Sequence, residues 1–436
     1  MIQLYCSLTG EIGLSILKNL RRDQKEAVGL LQIGTFLEYF DLMLYVHLSV
    51  LLNDLFFPKT DQRTAALLAA FAFCSTYVFR PVGALMFGYI GDYIGRKAAI
   101  IISTTMMAVS CFFMSILPTY AEVGIFASVA MITCRIFQSF SSTGEVIGAE
   151  IYLSELLPPP TSYQFVSWVS ELCTLGSLVA LLVTSLIFKC NANWRAAFIL
   201  GGMIAVSGAV ARRRLRETPA FLRAQANKYK EQAEKVSKQT SLAYFFIYSG
   251  FPLCFYVIFI YCADFLKYSM KYTPEEIIDH NLLLTVSSFI VGISIILLAK
   301  KIHPLRILKL RAIASSLVFF IMPLLPLTNI YALTSVQLLL TVFSLGTIPA
   351  IPIFFKYFPV HRRFTYSSFL YAVSRAVMYV ITSFGVVYLT NALGSYGIWV
   401  IAFPVSIGFL WAVEHFSKLD GFKYDHEPVN VELLRA

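Results

Sequence analysis

Residues 79–97 read FRPVGALMFGYIGDYIGRK, and this stretch carries the strongest evidence for the fold. Small residues let neighbouring membrane helices approach closely, and its apolar part contains three glycines, among them Gly88. Gly95 permits a tight turn, and Asp92 and Arg96 place charge on either side of that turn. The pattern therefore predicts a closely packed spanning helix that ends in a charged elbow.

Residues 135–149 read RIFQSFSSTGEVIGA and form a second pattern of the same kind. Arg135, Gln138 and Glu145 interrupt a stretch of apolar and small residues, and Gly144 directly precedes the glutamate. Ionisable side chains inside spanning helices are costly and usually functional. Helix packing and loop charges would explain either pattern alone, but their joint occurrence in two early helices indicates a specific membrane architecture.

The composition of the chain is that of a membrane protein. Apolar residues make up 58% of the 436 positions, whereas charged residues make up 14%. A soluble chain carries about a quarter charged residues, and a mean hydropathy of +0.70 fits a chain that a bilayer solvates. A spanning helix needs about 20 apolar residues. We predict twelve of them, over residues 27–52, 65–90, 98–117, 124–149, 165–188, 196–211, 242–265, 282–299, 312–327, 332–355, 367–389 and 396–413.

One long hydrophilic segment interrupts these runs at residues 212–241. It divides the chain into two halves, so we predict an all-α membrane protein with twelve transmembrane helices in two six-helix bundles. The predicted segments are an N-terminal tail, a first bundle, a central loop, a second bundle and a C-terminal tail, over residues 1–24, 25–213, 214–241, 242–415 and 416–436.

Basic residues are distributed unevenly between the two predicted sides of the membrane. The side with both tails and the central loop holds 26 Lys and Arg residues, and the other side holds 6. Because cytoplasmic loops are enriched in Lys and Arg, we expect a multi-pass protein of a bacterial inner membrane with both termini in the cytoplasm. The formal charge of +10 then reflects these loops, and no nucleic-acid partner is expected.

Motifs of metal binding and catalysis are missing from the sequence. The eight cysteines form no C-x-x-C pair and no metal-ligand spacing. There is no H-E-x-x-H motif, no Gly-rich phosphate loop and no Ser, His and Asp set. We therefore expect no metal, no cofactor and no enzymatic activity. The expected partners are the lipid bilayer, protons and a small-molecule substrate.

Two carboxylates, Glu38 and Asp41, lie near the middle of the first predicted helix. Residues three apart share a helix face, and two carboxylates near one face cannot both ionise cheaply in a low dielectric. One of them is therefore expected to hold a proton, as a reversible proton carrier does. We predict that this pair carries or gates the proton and that Arg135 of the fourth helix acts on it.

Three arginines, at positions 80, 135 and 375, are predicted inside spanning helices. Guanidinium groups bind carboxylates bidentately, which makes these arginines suited to a substrate that carries a carboxylate. The candidate substrate-binding residues are Arg80, Arg135, Gln138, Glu145 and Arg375. The alternative is that these charges form internal ion pairs that hold the helices together.

Six stretches of the sequence together resemble the major facilitator superfamily, in particular the branch of metabolite/proton symporters that includes proline/betaine transporters. They are GTFLEYFD at residues 34–41, the two patterns above, WR at 194–195, LRETPAF at 215–221 and FPVHRRFT at 358–365. The resemblance is dense in the first half and thin in the second. It implies two bundles around a central site that opens alternately to each side, with uptake driven by a proton gradient.

The resemblance also implies roles for individual residues. Glu38 and Asp41 match the acidic pair of helix one in the family. The helix-four motif is matched by Arg135, Gln138, Gly144 and Glu145, and the gating loop after helix two by Gly88, Asp92, Gly95 and Arg96.

The sequence departs from the family in its second half. The second gating loop, expected after helix eight, is reduced to AKKIH at residues 299–303. Arg375 stands where the family typically has a neutral residue. The alternative is that Arg375 forms an ion pair with Glu171 or Asp264 and does not bind ligand.

The expected function is proton-coupled symport of a small metabolite that carries a carboxylate. A zwitterion such as proline or glycine betaine is favoured, because the intramembrane charges nearly cancel when one carboxylate is protonated. A dicarboxylate such as 2-oxoglutarate or citrate is the alternative, since Arg375 adds positive charge. A degenerate membrane protein that binds a ligand without transport is a further alternative, which the reduced second gating loop favours.

Overall fold

The structure, a computed structural model, describes residues 20–57, 77–190, 193–226 and 236–421. All regular structure in this part of the chain is helical. The spanning helices α1 to α12 are Arg22–Phe56, Arg80–Tyr89, Arg96–Ile116, Ile125–Leu156, Thr161–Lys189, Arg195–Arg212, Lys238–Tyr256, Pro274–Leu298, Pro304–Ile321, Ile330–Val342, Arg363–Val380 and Gly397–Leu419. Helical turns extend α2 to Ile94, α7 to Ser269 and α11 to Leu393.

Length and hydropathy support a membrane location for these helices. Nine helical runs in the described residues are long and apolar enough to cross a bilayer, and one of them, Val360–Leu419, contains both α11 and α12. With α2 and α10 they make up the twelve helices of the predicted fold. Large apolar side chains such as Phe113 and Leu186 remain exposed on their outer faces, where lipid would solvate them.

The predicted helices are found in the predicted order, with shifted boundaries. Residues 65–76 of predicted helix two and the ends of both tails, 1–19 and 422–436, lie outside the described residues. α8 begins eight residues before its predicted start, because Thr273 and Glu276 form a capping box there. Such a polar first turn stabilises a helix end but lowers the local hydropathy from which the start was predicted.

α10 is not the continuous helix predicted over residues 332–355. It ends at Val342, and a short helix follows only at Ile351–Phe355. Pro349 and Pro352 lie in and just after the gap. Proline cannot donate a backbone hydrogen bond and disfavours helical geometry at the preceding residue, which explains the interruption.

The Arg311 guanidinium of α9 satisfies the polar groups that this interruption leaves without helical partners. It donates to the carbonyl oxygen of Val342 at 3.3 Å, to Ser344 Oγ at 2.7 Å and to the carbonyl oxygen of Ile348 at 3.4 Å. Non-helical backbone at membrane depth is tolerated only where such partners exist. Arg311 therefore belongs to the architecture of the second bundle.

The two bundles meet mainly along two pairs of helices. α1 packs on α5 and α3 on α6 in the first bundle, whereas α7 packs on α11 and α12 in the second. Across the interface α2 contacts α11 and α5 contacts α8. Gly88 allows the first of these contacts, because a Cβ atom there would lie 2.7 Å from the Cα atom of Thr365. The predicted close approach at Gly88 is thus an approach between bundles.

Candidate functional site

The two carboxyl groups of α1 are buried and meet different neighbours. Glu38 and Asp41 are 2% and 1% exposed, and none of their side-chain oxygens has a hydrogen-bond partner of good geometry in the described residues. Ser142 of α4 lies near Glu38, and Cys111 of α3 lies near Asp41. Asp41 fits against α6 only because residue 201 is glycine, since a Cβ atom at Gly201 would lie 1.9 Å from Asp41 Oδ1.

Arg135 of α4 contacts α1 through an aromatic ring. Its Nη1 atom donates to Gln138 Oε1 at 2.6 Å, and its guanidinium carbon lies 3.9 Å from the centre of the Tyr45 ring. Tyr45 follows Asp41 by one helical turn. The structure thus places Arg135 at the contact between α1 and α4, and its action on the α1 carboxyl groups stays a prediction.

Glu145, predicted to bind substrate, is engaged by Arg212 in this structure. The Arg212 Nη1 atom donates to Glu145 Oε1 and to Thr104 Oγ1, and Thr104 in turn donates to Glu145 Oε2 at 2.6 Å. Arg212 is 1% exposed, although the sequence placed it at the start of the hydrophilic segment. Gly34 of α1 leaves room for it, because a Cβ atom there would overlap its guanidinium group.

Arg80 and Arg375 come from opposite bundles and lie against aromatic rings. The Arg80 guanidinium carbon is 4.6 Å from the centre of the Tyr77 ring. The Arg375 guanidinium carbon is 4.4 Å from the Phe251 ring and 4.8 Å from the Tyr371 ring. Arg80 is close enough to Arg375 and to Tyr371 to interact with both electrostatically.

These two guanidinium groups retain capacity for a ligand. The Nε atoms of Arg80 and Arg375 are buried and lack a hydrogen-bond partner in the described residues. A guanidinium that lies over an aromatic ring keeps its N–H donors in its own plane, directed away from the ring, where they can meet a carboxylate. The alternative ion pair between Arg375 and Glu171 is not formed in the described part of the chain, where Glu171 lies against Gly292 of α8. The side chain of Asp264 lies outside the described residues.

A network of ion pairs joins the bundles at one end. We call this end, where α6 ends and α7 begins, the central-loop side. Asp92 of α2 accepts hydrogen bonds from the backbone N–H groups of Phe364 and Thr365, at 3.1 and 2.8 Å. These groups lie at the N-terminus of α11, where the helix dipole favours an anion. Asp92 also accepts from Arg96 Nη1 at 3.1 Å.

Glu155, at the end of α4, is a second node of the same network. It accepts from Arg96 at 3.2 and 3.3 Å and from Arg363 of the second bundle at 3.0 Å. Arg96 also donates to the carbonyl oxygen of Val360 at 2.6 Å. The residues matched to the gating loop therefore lie where the bundles meet, and the central-loop side is closed in this structure. Sequence analysis missed Glu155, although it lies only six residues beyond the second pattern.

Glu217, in the LRETPAF stretch of the central loop, holds the backbone turn that leads into α3. Its carboxyl oxygens accept from the backbone N–H groups of Arg96 and Lys97, at 3.1 and 3.2 Å. Gly95, which precedes them, has a φ of 141°, a conformation that glycine adopts far more readily than other residues. Burial raises the pKa of Glu217, although the neighbouring N–H donors act in the opposite direction.

The shortened loop of the second bundle has its own anchor. His303 lies 3.7 Å from Asp420, at the end of α12, and Asp420 also accepts from Lys356 at 3.1 Å and Tyr357 at 3.2 Å. Burial would raise the pKa of Asp420, but these neighbours hold it below its usual value. The loop at residues 299–303 is thus fixed within the second bundle. The ion pairs between bundles are made by the segment 360–365 instead.

Comparisons with known proteins agree with this geometry. Residues 30–244 match the family model described as sugar (and other) transporter. The proton:xylose symporter XylE of E. coli, a major facilitator superfamily protein, has the same fold with a TM-score of 0.77 at 12% sequence identity, over 91% of this chain and 95% of that chain. The chain has the fold of the major facilitator superfamily.

Other transporters also resemble this chain. The human organic anion transporter MFSD10 aligns with a TM-score of 0.69 and 12% identity, over 90% of this chain and all of that chain. The proline/betaine transporter of Salmonella typhimurium is 30% identical over 204 residues, which are 45% of this chain and 41% of the relative. The citrate-proton symporter of Klebsiella pneumoniae is 26% identical over 269 residues, which are 59% of this chain and 60% of the relative.

The relatives confirm the predicted branch of the superfamily. The matched part of the chain spans about two fifths to three fifths of their length. Their names describe transporters and not enzymes, in agreement with the sequence analysis. The structural neighbours show the fold alone at 12% identity.

Proposed function

We propose that this chain is a secondary transporter that couples uptake of a small carboxylate-bearing metabolite to proton entry across a bacterial inner membrane. The observation that carries the proposal is the position of Arg80 and Arg375. They come from opposite bundles, lie within electrostatic range of each other and have buried Nε atoms without hydrogen-bond partners. A carboxylate bound between them would contact both bundles, so its arrival would change the interaction between the bundles.

A zwitterion with a quaternary or secondary ammonium group is the first candidate substrate. Aromatic rings recognise such cations, and the Tyr77 and Tyr379 rings lie with their centres 3.9 Å apart beside Arg80. A dicarboxylate is the second candidate, because two guanidinium groups can bind two carboxylates. The names of the relatives, proline/betaine transporter and citrate-proton symporter, support the same two classes.

Proton coupling is assigned to Glu38 and Asp41. An unpaired carboxylate is expensive to bury, and both side chains are buried without hydrogen-bond partners of good geometry. Protonation removes most of this cost. Movement of α1 that opened either group to water would let it release the proton, which is the behaviour that a reversible carrier requires.

The central-loop side is proposed to face the cytoplasm, because the predicted topology assigns 26 Lys and Arg residues to that side and 6 to the other. Reporter fusions made directly after Ser241 should be active only as cytoplasmic markers. Activity of a periplasmic reporter at this position would contradict the proposed orientation.

Uptake by purified protein in proteoliposomes tests the proposed function directly. Labelled glycine betaine, proline, 2-oxoglutarate and citrate are each supplied with an inward proton gradient, with a protonophore as the control. Accumulation of a zwitterion that the protonophore abolishes supports the first candidate, and accumulation of a dicarboxylate supports the second. Binding without accumulation would show a non-transporting protein and refute the proposed function.

A further inference from the structure

A groove runs along the outer surface of the first bundle between α3 and α6. Its volume is about 150 Å³, and the residues that line it include Ile101 and Val109 of α3 and Val206 and Val210 of α6. Although the two helices pack on each other, Val109, Val206 and Val210 are 47%, 44% and 56% exposed. In a membrane these side chains face lipid. Neither the sequence motifs nor the proposed transport mechanism uses this groove.

The groove has the length of a single lipid acyl chain. Ala108 and Ala209 form its floor and are 2% and 8% exposed. At the end far from the central-loop side, the Phe112 ring packs on α6, where a Cβ atom at Gly202 would lie 3.1 Å from the ring. Since a helix rises about 1.5 Å per residue, the groove extends about 16 Å along α3 from Ile101 to Phe112. The hydrocarbon of one leaflet has a similar thickness, about 15 Å, which is half of about 30 Å.

The end of the groove at the central-loop side is cationic. Arg213, which follows the last residue of α6, lines the groove there. It is exposed, and its side chain makes no hydrogen bond or ion pair with the described residues. Lys97 is partly exposed and lies one helical turn before Ile101, on the same face of α3. Among the described residues that line the groove, none is acidic. This end is therefore suited to an anion, and basic sites at the ends of spanning helices bind anionic lipid head groups.

We propose that this groove binds one phospholipid with an anionic head group. One acyl chain lies between α3 and α6 on Ala108 and Ala209, and the Arg213 guanidinium donates hydrogen bonds to the phosphate. Both helices belong to the first bundle, so the site persists when the bundles move relative to each other. The bound lipid holds the end of α6, where the neighbouring Arg212 pairs with Glu145. The inference depends on the membrane location of these helices and not on the proposed transport activity.

The first test examines the head group. The full-length protein in detergent is titrated with phosphatidylglycerol or with phosphatidylcholine of the same acyl chains, and native mass spectrometry gives the affinity of each bound lipid. Wild type should bind one phosphatidylglycerol about fivefold more tightly than phosphatidylcholine, and Arg213→Gln should lose this preference. Arg223→Gln is the matched control, because it removes the same charge from an exposed position outside the groove. Equal affinities of wild type for the two lipids, or an equal loss in Arg223→Gln, would overturn the proposal.

The second test examines the acyl chain. Val210→Trp should cover the groove and weaken phosphatidylglycerol binding, whereas Leu200→Trp, at a position of α6 that is 40% exposed and outside the groove, should not.

Unfolding temperatures give an independent measure of the same binding and show whether the variants fold. Without lipid all variants should unfold near the wild-type temperature, because the replaced side chains are exposed. Phosphatidylglycerol should raise the unfolding temperature of wild type and Leu200→Trp, but not that of Arg213→Gln or Val210→Trp.

Two other occupants of the groove predict different results. Displacement of phosphatidylglycerol by free glycerol phosphate, with normal lipid binding in Val210→Trp, would indicate a site for a water-soluble anion. A lipid-free dimer of wild type that Val210→Trp abolishes would indicate that a second copy of the chain covers the groove. Either result would refute the proposed lipid site.

Discussion

Replacement of Glu155 by glutamine should open the central-loop side of the molecule. Glu155 is the carboxylate that pairs with one arginine from each bundle, Arg96 at 3.2 Å and Arg363 at 3.0 Å, and its side chain is fully buried. Glutamine keeps the shape of the side chain but removes the charge. The fully buried Arg96 and the partly buried Arg363 then lie beside a neutral neighbour, and the arrangement that brings them together is destabilised.

The free-energy cost of this replacement depends on the hydrogen-bond partners that Arg96 and Arg363 keep. Removal of one partner of a buried, hydrogen-bonded ion pair costs about 3–5 kcal/mol. Arg96 keeps Asp92 as a partner, and Arg363 keeps the carbonyl oxygen of Phe358, so we take the lower end, about 3 kcal/mol. Since about 1.4 kcal/mol corresponds to a factor of ten, the closed state should weaken about a hundredfold relative to the open state.

The alkylation rate of a cysteine placed behind the ion pairs measures this equilibrium. Ser368 of α11 is fully buried, about one turn beyond Phe364, and Ser368→Cys changes its size little. On a background without native cysteines, an impermeant maleimide applied from the central-loop side should react about a hundredfold faster in Glu155→Gln. Glu217→Gln is the matched control, because Glu217 accepts from the backbone N–H groups of Arg96 and Lys97 and from no residue of the second bundle among the described residues. A rate increase of less than threefold in Glu155→Gln, or an equal one in Glu217→Gln, would refute the reasoning.

Three further predictions address coupling, binding and stability. Glu38→Gln or Asp41→Asn should abolish proton-driven accumulation while at least one variant retains substrate exchange, and accumulation at the wild-type level by both would contradict the assignment. Arg375→Lys should reduce uptake in proteoliposomes about tenfold or more, because a point charge cannot replace a bidentate fork, and wild-type uptake would exclude a direct role. Arg311→Lys should lower the unfolding temperature, because one ammonium group cannot reach all three acceptors of the α10 interruption, whereas Arg213→Lys, at an exposed position, should not.

The helices could be predicted from the sequence because each depends on local composition. Runs of apolar residues fix the order and number of the spans, and the charged elbow at residues 79–97 marks a position in the superfamily. The interruption of α10 was missed because hydropathy averages over Pro349 and Pro352, which act through backbone geometry. The start of α8 was predicted too late, because polar capping residues lower the average hydropathy of its first turns.

The partners of the buried charges could not be predicted, because they depend on which helices become neighbours. Arg212 begins a run of three arginines in the sequence. Only the structure shows that α6 ends at Arg212 and that this first arginine points inward. Glu150 directly follows the second pattern, yet nothing local distinguishes it from a helix-end carboxylate. Its burial arises from the packing of α4 against α5 and against α11, which is more than 200 residues away in the chain.

The pair Arg212 and Glu145 decides between two interpretations of the helix-four motif. If Glu145 binds substrate, as the sequence analysis proposed, its loss should abolish uptake whatever stands at position 212. If it serves as the partner of Arg212, each single replacement leaves a buried charge without its partner, at a cost of about 3–5 kcal/mol. Replacement of both by residues of similar volume should then be close to neutral. We therefore expect Arg212→Met and Glu145→Gln each to lower the unfolding temperature more than the double variant does. Uptake by the double variant is then measured in proteoliposomes. Uptake near the wild-type level is compatible only with a structural role of Glu145.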